Sequence, residues 1–103
     1  MTATIRVELP PSLRQLVKIT ADTKIELAVT GAASIGAVLD GLEQRYPALR
    51  GTMRDQDTKR RRPFIRFFAC QLDVSHQPPD APLPRAVVEG REPFIIIGAI
   101  AGG

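Results

Sequence analysis

The sequence predicts an α+β domain: one mixed sheet of four to five strands with one main helix across one face. Three observations predict it. Residues 4–9 and 24–29 alternate apolar and polar, the period of strands with one buried face. Residues 35–46 change to helical spacing, and residues 64–70 and 94–97 return to β-branched and aromatic runs. The 103 residues suffice for one compact domain and not two.

The first run, Thr4-Ile5-Arg6-Val7-Glu8-Leu9, ends at Pro10-Pro11. Ser12–Leu16 reads as a short turn whose leucines tuck under the sheet. Lys24–Val29 alternates again and closes at Thr30-Gly31, so the two runs form an antiparallel hairpin with a wide loop. Ile35, Val38, Leu39, Leu42 and Tyr46 then form one helical stripe. Ser34 stands before it as an N-cap, and Pro47 disfavours helical geometry in Tyr46. Gly36 and Gly41 weaken this helix by about 1 kcal/mol each relative to alanine. Their small size permits close approach to the sheet.

Gly51–Pro63 is charged and aperiodic, and reads as a loop. Phe64–Cys70 is the third strand. Ile65, Phe67 and Ala69 point one way, and Phe64, Phe68 and Cys70 the other. A single helix covers one sheet face, so one of these sets is expected to contribute to an exposed apolar patch. The four prolines of Gln77–Pro84 exclude a central strand or a helix, and Leu83 marks a short pairing. Glu89-Gly90-Arg91 is a turn. Phe94–Ile97, the most apolar run, fits a central strand with little solvent contact. A helix between an early hairpin and later strands supplies the crossover a parallel pair needs. This is a β-grasp arrangement, with residues 1–97 as the domain and 98–103 as a flexible C-terminal tail.

Composition excludes several function classes. Apolar residues at 44% and charged residues at 24% rule out wholesale disorder. A single cysteine, Cys70, rules out an internal disulfide, and no apolar run reaches the length of a membrane helix. The N-terminus lacks the pattern of a signal peptide, so a cytoplasmic location is expected. The lone His76, in a polar loop, has no clustered partners for a metal site. Cys70 has no activating neighbour and reads as a sheet-face hydrophobe. No glycine-rich phosphate loop is present.

The net charge is +3, and it is concentrated. Six basic residues against Asp55 and Asp57 give Arg54–Arg66 a net +4, so the rest of the chain carries −1. This raises a nucleic-acid reading for Lys59-Arg60-Arg61-Arg62. Aromatic residues amount to only 5%, with no tryptophan, and Phe64, Phe67 and Phe68 fit a sheet better than base stacking. A milder reading is that this basic loop docks an acidic patch on a partner.

What remains is the end of the sequence. No charged or bulky polar residue follows Ile97, and the last two residues are Gly102-Gly103. Glycine lacks Cβ, so such a backbone passes through a narrow channel and leaves a carboxylate unhindered. Six extended residues span about 20 Å. That is far enough to deliver the carboxylate into another protein's active site.

On these residues the chain resembles the ThiS/MoaD sulfur carriers, which are ubiquitin-like. The resemblance covers nearly the whole chain. It rests on the opening strand with Leu13-Arg14-Gln15-Leu16, the Ser34–Glu43 helix running to Arg45-Tyr46-Pro47, Phe64–Phe68, Asp73-Val74 and the ending Ala99-Ile100-Ala101-Gly102-Gly103. It differs where the family commonly has an Asn-Gly-type turn after the third strand, here Cys70-Gln71-Leu72. It differs also at Gly98, commonly proline.

The resemblance implies a carrier and not an enzyme. A ubiquitin-activating-type enzyme adenylates Gly103 with ATP, and sulfur displaces AMP to leave a thiocarboxylate. Gly102 and Ala101 thread the tail into the partner site. The carrier itself binds no cofactor. The sulfur acceptor is a synthase such as the molybdopterin synthase large subunit or thiazole synthase, or one of cysteine biosynthesis. Phe64, Phe68, Arg60, Arg61 and Arg62 are the candidate partner-binding residues. The alternative is a ubiquitin-like modifier conjugated through Gly103, which shares the acyl-adenylate.

Overall fold

A computed structural model describes residues 2–20, 22 and 24–98. The chain forms β1 (Thr2–Glu8), α1 (Pro11–Leu16), β2 (Ile25–Thr30), α2 (Ile35–Arg45), β3 (Ile65–Ala69), β4 (Leu72–Asp73), α3 (Arg85–Val88) and β5 (Phe94–Gly98). A 3₁₀ turn at Pro47–Leu49 follows α2. The strands make one five-stranded sheet in the order β2-β1-β5-β3-β4.

β1 and β2 pair antiparallel from Thr2↔Thr30 to Val7↔Ile25, the predicted hairpin. β5 lies between β1, to which it is parallel, and β3, to which it is antiparallel. Its apolar sequence places it there, because a central strand is flanked by protein on both edges. The pairing of the first and last strands through a helical crossover is the predicted β-grasp.

α2 begins where Ser34 Oγ accepts the Ala37 amide at 3.1 Å. The Gly36 amide donates to Pro79 O at 2.8 Å, which satisfies a second helix-end donor. The predicted stripe buries Ile35, Val38, Leu39 and Leu42 against the sheet. Close approach depends on Gly41, where a Cβ would meet Leu27 Cδ2 at 2.9 Å. Phe94, Ile5, Ile96 and Val38 are fully buried between helix and sheet. The rings of Phe67 and Phe94 lie 5.6 Å apart. Each such buried side chain contributes about 1.5–3 kcal/mol.

Several local readings are corrected or completed. Residues 11–16 form a helix and not a turn: Pro11 at the first helical position has the preset φ a helix needs. Leu13 is buried there, but Leu16 stays exposed. The 51–63 segment is not wholly a solvent loop, because Met53 and Arg54 are buried within it. α3 at Arg85–Val88 follows the proline-rich stretch, with Val87 in the core. Its single turn is too short to show a period. Ile97 of β5 is 43% exposed, so the central strand has one wetter face than expected. The predicted pairing near Leu83 is present as the hydrogen bond its amide donates to Ala33 O at 3.0 Å.

Cys70 is not on the sheet. It and Gln71 form the two-residue turn between Ala69 and Leu72, with φ of 52° and 66°. Such a turn favours Asn-Gly, since left-handed backbone costs other residues roughly 1 kcal/mol or more each. Replacing Cys70-Gln71 with Asn-Gly should raise stability by about 1 kcal/mol, seen as a Tm rise of about 4–8 °C. An unchanged or lower Tm would show that this turn stores no strain.

Candidate functional site

Gly103, Gly102 and Ala101 lie outside the described residues. What is described is the strand that leads to them. β5 ends at Gly98, which pairs with Ile65 and so belongs to the sheet. A Cβ on Gly98 would meet Pro10 Cγ at 3.5 Å and Ile65 Cδ1 at 3.7 Å, ordinary contacts. Packing in the sheet therefore does not demand glycine at this position.

The predicted division of the third strand holds for Ile65, Phe67 and Ala69 against Phe68, while Phe64 precedes β3 and Cys70 lies in the turn after it. Ile65, Phe67 and Ala69 are buried under α2, while Phe68 is half-buried on the opposite face. Phe64, just before β3, is 54% exposed. The register sets Phe68 beside Ile95 and Arg66 beside Ile97. Phe68, Ile95 and Ile97 thus form an apolar strip on the uncovered sheet face, with Ile95 and Ile97 on the strand that leads to the tail. Ile95 and Ile97 were missed as site residues. Their signal was the alternation within Phe94–Ile97, hidden because every residue in that run is apolar. Arg66 and Asp73, 3.2 Å apart, form an ion pair on this face.

The basic segment is not a uniform charged patch. Arg54 is 4% exposed and is held against α2. Its Nε donates to Glu43 Oε2 at 3.0 Å, and its Nη2 donates to Glu43 Oε1 at 3.1 Å and to Asp40. Burial alone would lower the guanidinium pKa. The hydrogen bonds and charges of Glu43 and Asp40 outweigh that and hold it above its ordinary value. With a raised pKa, its contribution to stability is present at all working pH values and lost only above the arginine range.

Arg61 is half-buried and structural. Its Nη1 donates to Ile65 O at 2.6 Å and its Nε to Ser75 O at 3.2 Å. Ser75 Oγ in turn accepts the Phe67 amide at 2.8 Å, and the Val74 amide donates to Phe67 O at 2.8 Å. These bonds close the edge of β3 that the two-residue β4 leaves uncovered. Arg62 Nε donates to Gly51 O at 2.9 Å, and Arg60 is exposed. Arg60 and Arg61 line a cleft on the helix side of the sheet, away from the Phe68 strip. The candidate partner-binding residues therefore do not converge on one site.

Two carboxylates brace this region. Asp55 Oδ1 accepts the amides of Thr58 and Asp57 at 2.8 and 2.9 Å, and Thr58 and Asp57 hold its pKa below the usual 3.8. Asp73 is lowered by the side chain and amide of Ser75, and further by Arg66. A depressed carboxylate stabilises the fold above its unfolded pKa, and that stability disappears as pH falls through the folded value. Urea midpoints should thus be flat near neutrality and fall below about pH 4. Asp55→Asn should flatten this acid limb. An unchanged limb would remove Asp55 from the account.

No helix among the described residues is long and apolar enough to cross a membrane. No group of three or more His, Cys, Asp or Glu side chains among them could hold a metal ion.

The architecture is that of a ubiquitin-like β-grasp protein. No family profile and no curated protein matches the chain. Solved structures do. The chain is similar to SAMP1 from Haloferax volcanii, with a TM-score of 0.73 at 17% identity over 97% of this chain and 99% of that one. It is similar to SAMP1, the small archaeal modifier protein 1, from Methanosarcina acetivorans, with a TM-score of 0.72 at 18% identity over 100% and 99%. It is similar also to the Amycolatopsis orientalis BexX/CysO complex structure, with a TM-score of 0.68 at 20% identity over 95% and 98%. These likenesses establish the fold.

Proposed function

We propose that the chain is a sulfur carrier protein that acts through the carboxylate of Gly103. One observation carries the reading: the central strand of a β-grasp sheet leads into a segment without side-chain charge that ends in Gly102-Gly103. A carboxylate is a poor electrophile. Attack of its oxygen on the α-phosphorus of ATP releases pyrophosphate and gives an acyl-adenylate with a good leaving group. A sulfur nucleophile then displaces AMP, leaving a thiocarboxylate. ATP is bound by the activating enzyme, of the ubiquitin-activating type, and the carrier supplies no catalytic side chain.

The Phe68–Ile95–Ile97 strip, with Phe64 beside it, is the docking face for that enzyme. Its burial offsets ordering the tail, which costs about 1–2 kcal/mol per residue fixed. Gly102 and Ala101 thread the enzyme's channel. The sulfur acceptor is a synthase of the molybdopterin-, thiazole- or cysteine-forming type. The test is ATP–pyrophosphate exchange by an activating enzyme. Exchange should depend on the chain and disappear when Gly103 is removed. Exchange that persists without Gly103 would contradict the proposal.

A second reading, conjugation through Gly103 to lysines, draws support from the likeness to a structure named small archaeal modifier protein 1. It predicts lysine peptides branched with the Glu92–Gly103 fragment that trypsin leaves after Arg91, which the carrier reading does not.

A further inference from the structure

The sheet's uncovered face and the tail leave one built feature unused. On the helix side, a cleft of ≈ 350 Å³ opens between the start of α2, the 58–61 turn and the 75–79 segment. Ile35 and Leu39 of α2 and Phe67 of β3 form its floor. Its walls carry four cations, Arg54, Lys59, Arg60 and Arg61, and no carboxylate.

The Asp55 amide donates to Arg60 O at 2.7 Å and the Lys59 amide to Asp55 O at 2.9 Å, which fixes the backbone of the turn that carries Lys59 and Arg60. Arg54 and Arg61 are fixed by the bonds described above. In Arg54 those bonds engage Nε and Nη2, and Nη1 makes none. No buried side-chain nitrogen among the described residues lacks a partner, so Nη1 is not sealed from solvent, and Arg54 is among the residues that line the cleft. Arg54 is already paired with Glu43 and Asp40, but the exposed Lys59 and Arg60, with Arg61 bonded only to carbonyl oxygens, keep their charge for an anion at the cleft mouth. The apolar floor adds a requirement that a bare anion does not meet.

We propose that this cleft binds an acidic peptide segment of a partner protein. One aliphatic or aromatic side chain rests on Ile35, Leu39 and Phe67, and flanking carboxylates reach Lys59 and Arg60. The site faces away from the Phe68 strip, so a partner here does not compete with one on the sheet face. Nothing in this binding requires the tail or its chemistry, and its test stands apart from that of the carrier reading.

The probe is a labelled acidic nonapeptide with a central leucine among aspartates and glutamates, titrated into the full chain by fluorescence anisotropy and amide NMR. Shifts should concentrate at Leu39, Phe67, Ser75 and residues 58–61. Lys59→Glu with Arg60→Glu should weaken binding about tenfold, and added salt should weaken it too. The charge-matched control Lys18→Glu with Lys24→Glu should stay within about twofold. A peptide with serine for leucine should bind more weakly. The proposal is overturned if both charge-reversal variants lose equally, or if the serine peptide binds as well as the leucine one. It is overturned also if shifts map to the groove of Arg6, Arg14 and Lys24, or if a single-stranded RNA oligonucleotide binds the same residues more tightly than the peptide.

Discussion

Arg54→Ala is expected to destabilise the fold by about 3–5 kcal/mol, the usual cost of removing one partner of a buried ion pair. Arg54 is 4% exposed and Glu43 only 7%. Deleting the guanidinium leaves the Glu43 carboxylate buried without its two hydrogen bonds. The exposed Asp40 loses little, because water replaces its partner. The Arg54 pairs also fasten the 51–63 segment to α2, and Met53, fully buried, comes away with it. A domain of this size has about 5–15 kcal/mol of stability in total, so the variant approaches unfolding. Arg54→Met combined with Glu43→Leu should recover most of the loss, since apolar replacement of both partners is often near neutral. Urea denaturation of the single and double variants measures this directly. A loss below about 1 kcal/mol for Arg54→Ala would show that the pair behaves as an exposed one.

The second large effect separates stability from function. Removing Gly102 and Gly103 should leave the urea midpoint unchanged within about 0.5 kcal/mol, as for other changes away from packed features. Among the described residues the β-grasp core runs from Ile5 to Ile96. Yet the same deletion should abolish activation, because the reacting carboxylate would then follow Ala101, whose Cβ must pass where glycine now passes. A fall in stability together with activity would assign the glycines a structural role and remove the basis for reading them as a reactive end.

The contrast between these two residue sets explains what the sequence made legible. Period alone located the β1–β2 hairpin, the Ser34-capped helix and the division of β3 into a buried and a half-exposed face. Each of these has a repeating pattern that a one-dimensional string preserves. Arg54 has none. It sits in a charged, aperiodic stretch, and only the packing of residues 53–54 onto α2 distinguishes it from Arg60, six positions later. α1 and α3 escaped for a related reason, since helices of one or two turns show too few positions to establish a period. The apolar strip was half legible: Phe68 stood out by alternation, while Ile95 and Ile97 needed the β3–β5 register. The cleft at Lys59–Arg61 was legible as charge but not as shape.

The most direct measurement of the central claim is intact mass. The full chain is incubated with an activating enzyme, ATP and a sulfur source, alongside a carrier known to be activated under the same conditions. The expected product is a species heavier by one sulfur-for-oxygen exchange, located by fragmentation to Gly103 and absent from the chain lacking Gly102 and Gly103. A chain whose mass stays unchanged while the control carrier gains sulfur would contradict the claim.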